Sequence, residues 1–525
     1  MTSNGNGRGP GPAERHQTVL VLDFGSQYTQ LIARRVRENR VYCEIQPHDV
    51  SLDEIRRGRP VGLILSGGPQ SVYRDGAVRP RPGLYDLGIP ILGICYGLQL
   101  IGHELGGEVE PSETREYGRA EVAVDTTCPL FEGLSGRETV WMSHGDRVRR
   151  PPEGFRPVAS TGDVPVVALE HRERRIYGIQ FHPEVSHTPS GGEILRNFLF
   201  GVCGAKGDWR MVSFLEETVA AVRERVGRRQ VVCGLSGGVD STVVAALLNR
   251  AVGDRLTAVF VDNGLLRKGE AEQVVHGLRD ELGLPVRAVA AGERFLSALA
   301  GVTDPEEKRS IIGRVFIDAF RDVADTLDDA AFLAQGTLYP DVIESASAGG
   351  PATVIKTHHN VGGLPDELGF ELIEPLRMLF KDEVRQLGRE LALPEEFIGR
   401  HPVPGPGLAV RVLGEVTEER LALLREADAI FLQELRERNY YDKVSQAFAV
   451  LLPVKSVGVM GDDRTYENVV ALRSVETIDF MTADWSPLPH DLLGRTANRI
   501  VNEVRGINRV VYDVTSKPPG TIEWE

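Results

Sequence analysis

The strongest constraint on this chain is a pattern that occurs twice: short apolar runs, each closed by a turn and followed by a longer amphipathic stretch. Residues 18–22, 61–65 and 90–94 form the first series, and residues 230–235, 255–261 and 331–335 the second. Runs this short and this apolar match strands covered on both faces, and the amphipathic stretches supply the covering helices. The expected fold class is therefore α/β, with two consecutive parallel-sheet α/β domains. A third block differs. After His401-Pro402-Val403-Pro404-Gly405-Pro406-Gly407, which cannot continue a helix, the pattern changes to a helix over 417–438 and β-like runs at 456–460 and 509–514. A smaller α+β domain is expected there.

At about 150 residues per domain, 525 residues allow three or four domains. The expected division is a disordered Gly-, Asn- and Pro-rich tail at 1–17, then domains at 18–207, 208–402 and 403–525. The net charge of −15 disfavours a surface devoted to polymeric nucleic acid, although a few cations in one cleft can still bind a small anion. The five cysteines (Cys43, Cys95, Cys128, Cys203 and Cys233) contain no C-x-x-C pair, against a disulfide framework or a structural zinc site. No apolar run reaches the length of a membrane span, and residues 1–17 lack a signal-peptide core, so the expected location is cytoplasmic. The basic residues divide into 52 Arg and only 8 Lys. Each lysine is therefore worth locating, because Arg does not replace a compact ammonium everywhere.

Ile91-Leu92-Gly93-Ile94-Cys95-Tyr96-Gly97-Leu98-Gln99 places a cysteine where an apolar strand meets a helix. The glycines on both sides, Gly93 and Gly97, are expected to permit the tight turn that lifts a nucleophile off the sheet and sets its thiol at the positive end of the helix. A thiol nucleophile needs a base and a group that orients the base. Gly178-Ile179-Gln180-Phe181-His182-Pro183-Glu184 offers both, with His182 to take the proton and Glu184 to hold the imidazole. The turn Ser66-Gly67-Gly68-Pro69 exposes backbone donors, so the N–H groups of Gly68 and Tyr96 are the expected oxyanion contacts.

Over residues 18 to 200 these segments together resemble the class I glutamine amidotransferases. The resemblance implies hydrolysis of glutamine through a thioester with release of ammonia. It also implies that Gln99, Ser143, His144 and Asp146 help to hold the glutamine.

Val231-Val232-Cys233-Gly234-Leu235-Ser236-Gly237-Gly238-Val239-Asp240-Ser241 joins a second apolar strand to a helix. Successive N–H groups of such a turn make an anion cradle. The loop lacks the lysine of G-x-x-x-x-G-K-[ST], which disfavours γ-phosphoryl transfer and suits a pyrophosphate leaving group. S-G-G-x-D-S resembles the loop of the N-type ATP pyrophosphatases, of adenine-nucleotide α-hydrolase-like fold. The resemblance implies that Ser236, Gly237, Gly238, Val239, Asp240 and Ser241 contact the phosphates, with Mg²⁺ held by them and Asp240. It also implies that adenine lies against the strand end at Val261. No organic prosthetic group is expected. Asp341 and Glu344 in one later segment, Lys356 before His358-His359-Asn360-Val361-Gly362-Gly363-Leu364-Pro365, and Lys381 and Asp382 in another are expected to serve lid closure and catalysis.

The chain after residue 17 resembles the glutamine-hydrolysing GMP synthases. The resemblance rests on the order of these motifs, the H-N-V-G-G-L-P run and the segment Ser516-Lys517-Pro518-Pro519-Gly520-Thr521-Ile522-Glu523-Trp524-Glu525. It implies adenylation and amination of xanthosine monophosphate (XMP), with ATP and glutamine as co-substrates, and a homodimer formed through the third block. Arg309 of Glu307-Lys308-Arg309, together with Lys517, Thr521, Ile522 and Glu523, would then contact XMP. A tRNA-thiolating pyrophosphatase would bring reactive cysteine pairs and a basic face, and a NAD synthetase would adenylate a carboxylate. A scaffold that had lost its chemistry would show damaged motifs, whereas Cys95, His182, Glu184 and Asp240 are all in place.

Overall fold

The apolar runs form strands within about a residue of their predicted bounds, because runs of Val, Leu and Ile between turn residues suit a sheet covered on both sides. The computed structural model describes residues 15–327, 330–347, 370–460, 463–477, 480 and 482–525, with backbone alone at 112–117, 344–347 and 460. The chain divides into two compact units between Phe214 and Leu215.

The first unit is built on a nine-stranded sheet. Its strands are β1 (Thr18–Asp23), β2 (Tyr42–Pro47), β3 (Gly62–Leu65), β4 (Ile91–Ile94), β5 (Glu108–Val124), β6 (Arg137–Arg150), β7 (Arg156–Ser160), β8 (Ala168–His171) and β9 (Ile176–Ile179). They lie in the order β2-β1-β3-β4-β9-β8-β7-β5-β6. The first five are parallel, and three of them, β1, β3 and β4, are the predicted apolar runs. The other four extend the sheet with antiparallel pairs, which the apolar-run pattern does not announce. In β6, the buried Val140, Met142 and His144 alternate with half-buried positions, so no continuous apolar run marks it.

The second unit contains a parallel sheet of five strands: β10 (Gln230–Leu235), β11 (Leu256–Asp262), β12 (Val286–Ala290), β13 (Ala330–Ala334) and β14 (Glu371–Ile373). Their order is β12-β11-β10-β13-β14. The same unit carries a mixed sheet of β15 (Gln446–Met460), β16 (Asp463–Glu476), β17 (Asp484–Trp485) and β18 (Ile507–Tyr512), with β18 parallel to β16. The helix Glu418–Glu437 starts at Thr417, whose side chain accepts the N–H of Arg420. One apolar core runs through both sheets, from Val232, Val259 and Phe320 to Leu408, Phe431, Leu451 and Ile507. The block beyond residue 403 is thus fused to the pyrophosphate-loop block by a shared interior. Among the described residues no helix is long and apolar enough to cross a membrane.

Candidate functional site

In the first unit, β4 ends at Ile94 and the helix Tyr96–Glu104 starts at once, with Cys95 as its N-cap. Cys95 takes φ +53° and ψ −103°. A non-glycine residue in that region costs about 1–3 kcal/mol and is kept where its surroundings over-determine it. The flanking glycines play a different part from the turn-forming one predicted, because neither has a positive φ. Both are there for close approach. A Cβ on Gly93 would lie 2.5 Å from the carbonyl of Gly97, and one on Gly97 would lie 2.5 Å from the oxygen of Leu65. Strand and helix therefore meet backbone to backbone, and the strain falls on the nucleophile.

The neighbouring parallel strand delivers the base. Gly93 and Ile94 of β4 pair with Gly178 and Ile179 of β9, and the N–H of Cys95 donates to the Ile179 oxygen at 2.8 Å. Three residues further on, His182 Nδ1 lies 2.7 Å from Glu184 Oε1, with both side chains buried. Burial opposes the imidazolium. The Glu184 carboxylate and the hydrogen bond to Cys95 outweigh it, so the imidazole titrates well above its ordinary range. The His182 loop is pinned by the Thr188 hydroxyl, which donates to the His182 oxygen at 2.7 Å, and by Arg35 Nε, 3.0 Å from the Glu184 oxygen. The Tyr28 ring meets the imidazole edge-on at 5.2 Å.

The turn at Ser66-Gly67-Gly68 runs between the same groups. A Cβ on Gly67 would be 3.4 Å from His182 Cε1, and one on Gly68 3.1 Å from the Tyr96 ring. Among the described residues no acceptor takes the N–H of Gly68 or of Tyr96. The proposed glutamine-holding residues also converge. The Gln99 side chain donates to the Asp146 oxygen at 3.1 Å, and His144 Nδ1 lies 3.1 Å from that oxygen. The Ser143 oxygen is 3.7 Å from Cys95 Sγ. Two residues outside the predicted set belong here as well. The Tyr73 hydroxyl donates to Asp146 at 2.8 Å, and the fully buried Gln180 points its amide at Cys95 Sγ, 3.7 Å away. Gln180 stood inside the quoted His182 motif, and that was its signal.

In the second unit, β10 runs into the loop and the helix Val239–Val252, with Gly238 as N-cap. Gly237 has φ +76°, a conformation that leaves little choice but glycine. The Ser236 and Ser241 hydroxyls lie 3.1 Å apart, and Ser241 also accepts the Ser236 N–H. Lys381, the first residue of the helix Lys381–Glu390, reaches Asp240 Oδ2 at 2.5 Å. The second oxygen of Asp240 is buried, and among the described residues it has no partner. Gly336 borders Asp240, and the buried Thr337 hydroxyl beside it is likewise unpartnered. Thr337 was not predicted, since a threonine after a strand is ordinarily a turn residue.

The Asp341 carboxylate accepts the Leu338 N–H at 2.9 Å, closing the start of its own helix. Asp382 occupies the second position of the Lys381 helix. Of Glu344 only the backbone is described, and Lys356 lies outside the described residues. Val261 is buried in β11, so its backbone alone is available to a ligand.

The 515–525 segment is held by buried cations. Arg411 makes a two-pronged pair with Glu523 at 3.0 and 2.8 Å, and Gln446 donates to the same carboxylate at 2.7 Å. Arg473 donates to the oxygens of Thr515, Thr521 and Ile522 at 2.5, 3.1 and 3.4 Å. The Thr521 hydroxyl donates to the Glu523 oxygen. Lys517 Nζ donates to the Phe480 oxygen at 2.7 Å, and Arg309 Nη2 to the Glu525 oxygen at 2.6 Å. Arg411 and Arg473 were not predicted as site residues. The available signal was a cation closing an apolar run, as in Leu408-Ala409-Val410-Arg411.

Comparison with known proteins gives three family matches. Residues 20–202 match Glutamine amidotransferase class-I, residues 210–306 match NAD synthase, and residues 433–524 match GMP synthase C terminal domain. The "GMP synthase [glutamine-hydrolyzing]" of Phenylobacterium zucineum is 59% identical over 514 residues, covering 97% of this chain and 99% of that protein. The protein of the same name from Maridesulfovibrio salexigens is 58% identical over 509 residues, again covering 97% and 99%. That of Carboxydothermus hydrogenoformans is 57% identical over 507 residues, with the same two shares.

Proposed function

The chain belongs to the glutamine-hydrolysing GMP synthases, and from that premise we propose how its two sites divide the work. The reaction is glutamine-dependent, ATP-driven amination of XMP to GMP, releasing AMP, pyrophosphate and glutamate. The observation that carries the division is a thiol, a buried imidazole and a carboxylate in one unit, with a lysine-free pyrophosphate loop in the other. The NAD synthase match covers that loop and stops before Lys381, so it marks shared adenylation machinery.

In the first site His182 takes the Cys95 thiol proton as the sulfur attacks the glutamine amide carbon, and the oxyanion accepts from the N–H groups of Gly68 and Tyr96. His182, held by Glu184, gives its proton to the departing ammonia and then draws one from the water that cleaves the thioester. Gln99, Ser143, His144 and Asp146 hold the substrate. In the second site Ser236–Ser241 hold the phosphates of ATP. The C2 oxygen of XMP attacks the α-phosphorus, pyrophosphate leaves, and ammonia then displaces AMP at C2. Lys381 and Lys356 offset charge that develops at phosphorus, and the segments bearing Asp341, Glu344 and Asp382 serve closure over the site. Asp240 fits Mg²⁺, because the cation favours one carboxylate with phosphate oxygens and water, and this carboxylate has a buried spare oxygen. When bound, Mg²⁺ neutralises phosphate charge. Arg309, Lys517, Thr521, Ile522 and Glu523 form the XMP side.

The protein works as a homodimer in the cytoplasm. Val457 and Tyr466 pair across the β15–β16 hairpin, and with Val459 they leave an apolar face 44%, 65% and 74% exposed, supporting the dimer. Supplying XMP, ATP, Mg²⁺ and glutamine is expected to give GMP, AMP, pyrophosphate and glutamate in equal amounts. ADP as the nucleotide product overturns the reading. Val459→Glu combined with Tyr466→Glu is expected to give a monomer by analytical ultracentrifugation.

A further inference from the structure

Lys308 lies in the first turns of the helix Pro305–Ala324, and its side chain is fully buried. A lysine ammonium carries three donors. All three directions are taken: the Val412 oxygen at 2.8 Å, the Ala409 oxygen at 3.3 Å and the Glu525 carboxylate. The other Glu525 carboxylate oxygen accepts the Gly414 N–H at 3.2 Å. The Glu525 side chain is thereby held by the helix on one side and by the 409–414 turn on the other. Its backbone oxygen then receives Arg309, the next residue along the helix, at 2.6 Å.

We propose that Lys308 and Glu525 are positioning residues for the XMP site, fixing the main-chain oxygen that aims the Arg309 guanidinium. This rests on the assignment of Arg309 to XMP made above. An arginine on a solvated helix face loses rotamer freedom when it binds a ligand. Arg309 is already tethered by one strong donor bond, its Nε faces Glu306 at 3.7 Å, and its other N–H groups are left in a fixed fork. The tether works only while Glu525 stays in place, and a buried lysine is the group that holds it there. Removing one partner of such a pair strands a buried charge, whereas removing both is tolerated. The double variant Lys308→Met/Glu525→Gln therefore separates positioning from stability.

The test uses the full chain with ammonia as nitrogen donor and varies XMP and ATP separately. The double variant is expected to melt near the temperature of the unaltered chain. Its KM for XMP should rise about tenfold, the scale of one charge-assisted contact, with the KM for ATP and the rate of glutamine hydrolysis unchanged. Glu525→Asp keeps the charge but cannot reach Lys308 and Gly414 together, and it is expected to raise the same KM in a folded protein. Arg309→Gln serves as control. An unchanged XMP KM in Arg309→Gln overturns the assignment of Arg309 and the positioning proposal with it. A raised KM in Arg309→Gln, with unchanged KM in both folded pair variants, overturns the positioning proposal alone.

Discussion

In the first unit Cys95 and His182 follow the ends of two adjacent parallel strands, β4 and β9, and Glu184 stands two residues beyond the histidine. In the second unit Asp240, Arg309, Lys381 and Glu523 come from four separate segments, joined by ion pairs such as Lys381–Asp240 and Arg411–Glu523. The glutaminase geometry is thus set by strand register and by backbone packing between strand and helix. The synthetase geometry is set by charges that hold one another, so each charge removed releases a segment. The two halves should accordingly fail independently and in different ways.

Cys95→Ala gives the largest expected effect. Glutamine-dependent GMP formation should fall by more than about a thousandfold, because residues that act as a catalytic unit are not replaceable singly. Ammonia-dependent formation should remain close to that of the unaltered chain. Equal loss with both nitrogen donors would break the comparison, since it would mean that the two sites are not separable.

Glu184→Gln comes next, with a loss of glutamine hydrolysis of about a hundredfold or more from a misdirected imidazole. It also carries a pH signature. Burial pulls the His182 pKa down, while Glu184 and Cys95 together hold it well above 6.5. The folded value is therefore raised, so His182 stabilises the first unit fully below its unfolded pKa near 6.5 and loses that contribution as pH rises through the folded pKa. Without the carboxylate the alkaline limb of the glutaminase profile should move to lower pH. A limb that stays in place would show that Glu184 does not hold the charge.

The same contrast explains what the amino-acid order reveals. Cys95, His182 and the loop Ser236–Ser241 are legible because each sits in a contiguous strand–turn motif whose glycines and apolar neighbours are local. The parallel strands β1, β3, β4, β10, β11 and β13 are legible for the same reason. The antiparallel edge formed by β5 to β8 is not, because β6 alternates buried with half-buried positions and charged residues interrupt β7 and β8, so no continuous apolar run marks them. Lys308, Arg411 and Arg473 are harder still to find. A cation in sequence is ordinarily solvated, and only the fold shows that these three are fully buried around one segment. Gly93 and Gly97 were legible as glycines but not in their role, which depends on how closely the Cys95 helix approaches its strands.

Lys381→Met sharpens the synthetase side. Removing the ammonium from Asp240 should lower GMP formation about a hundredfold with either nitrogen donor, the scale of one preorganised electrostatic contact. Glutamine hydrolysis should persist. A change confined to the KM for ATP would reassign Lys381 from the transition state to ground-state binding.

Gly97→Ala carries the smallest effect and probes the claim that backbone packing sets the glutaminase site. Its Cβ would fall 2.5 Å from the Leu65 oxygen and 2.9 Å from the Leu65 Cβ. Neither the oxygen nor the strand that bears it can swing aside as a flexible side chain would, so the helix must lift off β3. Overpacking of this kind costs about 1–3 kcal/mol, which should appear as a lower melting temperature for the first unit alone. The same displacement carries Cys95 away from His182, so glutamine hydrolysis should fall with stability while ammonia-dependent synthesis holds. If Gly97→Ala instead melts normally and hydrolyses glutamine at the full rate, the close approach of helix to strand is not what positions the thiol, and the strain at Cys95 must be maintained by the His182 side of the site.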